Sequence, residues 1–161
     1  MMTQKIISLF VTCLLALTLV ACQSVPGALT KQQIRVLQAE GFEYTDDGWA
    51  FNLSGKVLFQ FDEDRLSDDS RTLIDHLSHK LQEIGIYKIR IEGHTDALGS
   101  ESYNKALSQR RAEEAAAEFV KAGMLAHNIV VIAHGSSRPV ADNATEEGRQ
   151  QNRRVAIIVI P

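Results

Sequence analysis

Asp96 sits in a short loop bracketed by two glycines, GHTDALG from Gly93 to Gly99, and Arg111 follows on a segment with helical spacing. A carboxylate beside a guanidinium can hold a zwitterion. The carboxylate accepts from an ammonium, and the guanidinium takes a carboxylate in bidentate fashion. Asn104, Leu107, Ser108 and Arg111 recur at spacings of three and four, which places them on one helix face. The competing reading is an internal Asp96–Arg111 salt bridge that binds nothing.

Other residues invite chemistry and are set aside. His76 and His79 have i,i+3 spacing but no third ligand in reach of the pattern, so they read as a solvated helix face. His94 stands near Asp96, which would suit acid–base work, and is read instead as support for the loop. Ser102, Ser108, Ser136 and Ser137 lack the strand–elbow context of an activated nucleophile. Asp62, Glu63 and Asp64 cluster, but no glutamate follows at the spacing of a calcium loop. The chain is therefore read as a non-enzymatic protein without a cofactor or metal.

The elements that must position Asp96 and Arg111 follow from periodicity. Thr30 and Gln33 have capping-box spacing and open a short helix to Glu40, with Ile34 and Leu37 as its stripe and Gly41 as its stop. Trp49–Leu53 and Lys56–Phe61 read as strands. Ser67 precedes a helix to about Glu83, with Leu73, Ile74, Leu77 and Leu81 on one face. Lys88–Glu92 alternates as a strand, a long helix runs from about Ser102 to Ala122, and Ile129–Ala133 is another strand. A loop holding Pro139, a short helix from Glu146 to Asn152 and a closing strand from Arg154 to Ile160 complete the order. This β-α-β-α-β-(α)-β order predicts an α/β sandwich, with helices on one face of a small mixed sheet.

The composition is that of an ordinary domain with an extension: 161 residues, 45% apolar and 23% charged. The net charge of −3 gives no footprint for nucleic acid, and any anionic ligand needs local basic residues. Lys5, an apolar run from Ile6 to Val20 and small residues before Cys22 have the layout of a secretory leader. That run is short for a bilayer span. LVAC, Leu19 to Cys22, matches the lipoprotein signal-peptidase box, which makes Cys22 the lipidated first residue of the mature chain. Cys13 leaves with the leader, so the domain relies on its core rather than on a disulfide. The expected layout is residues 1–21 as signal peptide, 22–47 as lipidated cysteine, tether and short helix, and 48–161 as the domain.

GHTDALGSESYNKALSQRRA from Gly93, GRQQNRRVAI from Gly148 and LFQFD from Leu58 resemble, in order, the motifs of the OmpA-like (OmpA C-terminal-like) family. The resemblance implies non-covalent binding of peptidoglycan through the meso-diaminopimelate of its stem peptide. It implies Asp96 and Arg111 as the main pair, and Phe61 and Asp62 in the same pocket. Thr95, Asn104 and Leu107 would be walls, Arg153 a lesser contributor, and Arg154 would face away. The extension CQSVPGALTKQQIRVLQAEGF resembles a signalling branch of the family. That implies a partner, the periplasmic repressor YfiR, whose capture frees the diguanylate cyclase YfiN and raises cyclic di-GMP. The implied anchor is acyl groups on Cys22, palmitate among them, and Gln23 after it points to the outer membrane. A purely structural tether of the Pal type and an enzyme acting on peptidoglycan are the alternatives. A homodimer is compatible with all of these.

Overall fold

The computed structural model describes residues 28–54 and 66–160. Among these residues five strands form one sheet: β1 (Glu43–Thr45), β2 (Gly48–Ser54), β3 (Ile89–His94), β4 (Ile129–Gly135) and β5 (Arg154–Val159), in the order β1-β2-β5-β3-β4. β3 and β4 are parallel and the other pairs antiparallel, so the sheet is mixed, as expected. Among the described residues four α-helices accompany it: α1 (Lys31–Ala39), α2 (Asp68–Glu83), α3 (Glu101–Lys121) and α4 (Glu146–Asn152). The expected strand Lys56–Phe61 lies outside the described residues, as do the leader, Cys22 and most of the tether.

Alternation decides which side of the sheet is covered. Ile89 and Ile91 of β3, and Val155, Ile157 and Val159 of β5, pack against Ile74, Leu77 and Leu81 of α2 and Ala112, Ala115 and Phe119 of α3. The intervening residues face the other way. Ala50, Ala156 and Ile158 form a separate small cluster there, beside Arg90, Glu92 and His94. Each helix begins on a hydroxyl cap: Thr30, Ser67, Ser100 and Thr145 accept backbone N–H groups of the first turn. Thr30 and Gln33 close the reciprocal box that their spacing predicts.

α1 is docked by several contacts. Leu37 and Phe42 enter the main core, and the Gln33 side chain donates to the Ile84 carbonyl at 2.9 Å. His76 Nε2 meets Glu40 Oε2 at 2.7 Å, so this histidine joins α1 to α2 rather than simply facing solvent. Lys31, Gln32, Arg35 and Gln38 stay on the outer face.

Two strands run further than their patterns predict. β3 continues through Gly93 to His94, and β4 through His134 to Gly135. β3 is central and is paired on both sides, so its backbone stays in the ladder past the glycine. Gly93 is required by packing: a Cβ there would overlap the Ser108 carbonyl of α3. Gly93→Ala should therefore force α3 off the sheet, with a loss of about 2–3 kcal/mol. A urea midpoint equal to that of the unsubstituted protein would contradict this close approach.

Candidate functional site

Asp96 lies beyond the end of β3, where the chain turns toward α3, and is only 7% exposed. Its carboxylate is held from two sides. Oδ1 accepts from the Leu98 amide at 3.0 Å, and Oδ2 accepts from Arg153 Nη1 at 2.7 Å. The other Arg153 branch donates to Glu146 at 2.7 Å. Hydrogen bonds from Arg153 and then Arg149 pull the Glu146 carboxyl down to about 2, which keeps this acid ionised beside the site. The result is an alternating row of carboxylate, guanidinium and carboxylate.

The loop is fixed by buried polar groups. The Thr95 amide donates to the Gly135 carbonyl at 2.9 Å, and the Thr95 hydroxyl to the Asp96 carbonyl at 2.9 Å. Asn104 donates to the Leu98 carbonyl at 2.9 Å and reaches that of Asp96 at 3.4 Å. Ser108 accepts the Gly135 amide at 2.9 Å. A second hub lies across the site. Asn152, fully buried, accepts the amides of Val140 and Ala141 and donates to the Ala141 carbonyl and to Asn143 Oδ1. Asn143 Oδ1 in turn accepts the Ala97 amide at 3.1 Å. The loop after β3 and the loop before α4 therefore hold each other.

These contacts assign different tasks to the expected residues. Thr95 and Asn104 spend their polar atoms on the loop. Leu107 and Arg111 are half-buried on α3, in the turns that follow Asn104. Arg153, expected as a lesser contributor, is the guanidinium that touches Asp96, so the salt bridge of Asp96 is made with the end of α4 rather than with Arg111. Phe61 and Asp62 lie outside the described residues. Arg154 pairs across the sheet with His94 and is buried on the face opposite α2 and α3, away from Asp96.

A model of the OmpA family matches residues 58–153. The chain belongs to the OmpA family. The outer-membrane lipoprotein YfiB of Pseudomonas aeruginosa is 52% identical over 147 residues, covering 90% of this chain and 88% of that protein. The putative lipoprotein YfiB of Escherichia coli is 34% identical over 145 residues, covering 89% and 91%. Among solved structures, the peptidoglycan-associated lipoprotein of Burkholderia pseudomallei superposes with a TM-score of 0.57 at 30% identity, covering 63% of this chain and 86% of that one. The chain is accordingly an outer-membrane lipoprotein with an OmpA-family domain. Among the described residues no helix is long and apolar enough to cross a membrane.

Sequence reasoning missed a second polar cluster in this OmpA-family sheet. Glu92 is buried on the face opposite α2 and α3, with Arg90 Nε at 2.6 Å and His134 Nε2 at 3.0 Å. His94 Nε2 stands 3.6 Å from the same carboxylate, and the His94 and His134 rings stack with centroids 4.9 Å apart. His94 thus belongs to the sheet rather than to the loop it was expected to support. The signal was present: Arg90, Glu92 and His94 alternate at a period of two. Burial opposes charge on Glu92, but the His94 imidazole, the Arg90 guanidinium and the His134 imidazole outweigh it and hold the carboxyl at about 2. Burial keeps both imidazoles below their ordinary range despite the nearby carboxylate.

The depressed Glu92 value fixes a pH dependence. Its contribution to stability is complete above the ordinary value of 4.5 and is lost as pH falls toward 2. Urea midpoints measured against pH should therefore fall more steeply through this window for the unsubstituted protein than for Glu92→Gln. Parallel curves would show that Glu92 carries no such linkage.

Proposed function

We propose that this lipoprotein holds peptidoglycan without altering it, by gripping the diaminopimelate of the stem peptide at Asp96. The observation that carries this reading is the buried, fixed Asp96 carboxylate beside a guanidinium, on a loop whose polar groups are otherwise satisfied internally. The ligand ammonium donates to Asp96. The ligand carboxylate takes Arg111, with Arg153 holding Asp96 in place and Thr95, Asn104 and Leu107 shaping the walls. Phe61 and Asp62 complete the pocket by family resemblance. The peptidoglycan-associated lipoprotein among the structural neighbours supports the wall as the target. Acyl chains on Cys22, palmitate included, supply the membrane anchor, and no hydrolytic step is assigned to any residue.

The likeness to YfiB runs through the extension as well as the domain. It supports a second role: capture of the periplasmic repressor YfiR, which releases the diguanylate cyclase YfiN. The outward residues of α1, with the tether before it, are the surface assigned to this partner. A Pal-type tether that only joins outer membrane to wall is the alternative, favoured by the same structural neighbour.

Calorimetric titration of the full chain in detergent with a diaminopimelate-containing muropeptide tests the first role. Saturable binding should weaken at least about tenfold in Asp96→Ala and in Arg111→Ala, since each leaves one end of a zwitterion unpaired. Equal affinity in all three proteins would remove this site from the account. For the second role, affinity purification from envelope extracts should recover the repressor, and Arg35→Glu on α1 should reduce that recovery. Tol proteins without repressor would support the tether alone.

A further inference from the structure

Glu92, His94 and His134 each offer one ligand atom on the sheet face opposite α2 and α3, all within 4.8 Å of one another. We propose that these three side chains bind one divalent transition-metal ion of the zinc class, with water as the fourth ligand. The site is separate from Asp96 and does not depend on the wall-binding reading.

Two histidines and one carboxylate with an open position are a donor set that zinc accepts. Glu92 Oε2 is 3.0 Å from His134 Nε2 and 3.6 Å from His94 Nε2. Tetrahedral zinc, with bonds of about 2.0–2.2 Å, sets neighbouring donors about 3.4 Å apart, so the two edges through Glu92 fit within a few tenths of an ångström, and the third, between the imidazole nitrogens, lies within 4.8 Å. The donors are carried on adjacent strands rather than loops. Glu92 and His94 alternate on β3, and a bulge in β4 supplies His134: Gly93 pairs with Ala133 and His94 with Gly135, which leaves His134 as the extra residue. Such bulges re-aim a side chain, and here it is aimed at Glu92. Arg90 Nε holds Oε1 of Glu92 at 2.6 Å, which orients the carboxylate and leaves Oε2 for the ion, as an outer partner does in metal sites. His134 also lines a cleft of about 660 Å³ with Ser102, Lys105 and Ser136, and Glu92 and His94 line a cavity of about 220 Å³ with Asp47, Arg138 and Arg154.

The surrounding charge selects the ion. Asp47 answers Arg90 at 3.6 Å and Arg138 at 3.5 Å, but Arg154 from β5 and Lys105 from α3 also bear on the histidines. These cations disfavour ions held by charge alone, such as magnesium and calcium. The two imidazoles, as nitrogen donors, favour a transition-metal ion over these.

Cobalt(II) titration of the full chain in detergent, followed by visible absorption, tests the site. One cobalt per chain should give the intense band of a four-coordinate ion, and zinc should displace it. His134→Asn and Glu92→Gln should each weaken binding by about tenfold or more, whereas Asp96→Ala should leave it unchanged. His134 is the less buried ligand, and circular dichroism of His134→Asn checks that the fold persists. No band from the folded protein, or a band that survives in both His134→Asn and Glu92→Gln, would overturn the proposal and leave Glu92 as a hydrogen-bond acceptor between two imidazoles.

Discussion

The close approach of β3 to α3 at Gly93 is the constraint on which the rest depends. The Ser108 backbone occupies the space that any side chain at Gly93 would need. That contact fixes the height of α3 on the sheet. It thereby sets where Asn104 meets the loop carbonyls and where Ser108 receives Gly135. Gly135 is pressed against the same helix near Lys105 and adopts a positive φ of 56°. One helix thus clamps the ends of two parallel strands, and the Asp96 loop and the Glu92 cluster both lie toward those ends.

From this clamp the two faces of the sheet diverge. The covered face supplies the apolar packing, and the chain leaves it at Asp96 with its polar backbone groups already partnered. Asn152 repeats the device from the other side, fixing the loop before α4 so that Arg153 reaches Asp96. A carboxylate held this way loses little freedom when it meets a ligand, because its position is set before binding. The opposite face carries a buried acid between two imidazoles, which a sheet tolerates only when the charge is paired.

Much of this was legible in the sequence. Helix starts were marked by hydroxyl residues and helix faces by apolar spacing, and the motif blocks carried the fold class and the family. The partner of Asp96 was not legible from spacing. Arg111 is the arginine that helical periodicity brings near the loop, whereas Arg153 arrives through tertiary packing of α4, which no local pattern encodes. The strand ends were misplaced for a related reason. Gly93 and the polar residues after it read as loop, yet ladder partners on both sides carry β3 on to His94. With the strand ended two residues early, His94 could not be placed beside Glu92, and the bulge that turns His134 toward them has no sequence signature of its own.

Backbone amide shifts of the protein, followed by NMR as a diaminopimelate-containing muropeptide is added, test the central claim most directly. The account predicts that the largest changes fall on Thr95 to Gly99, on Asn143 to Glu146 and on Arg153, with Arg111 following and the far end of β4 near Ile129 unmoved. Shifts confined to α1 or to the β4 edge, or none at saturating ligand, would contradict it.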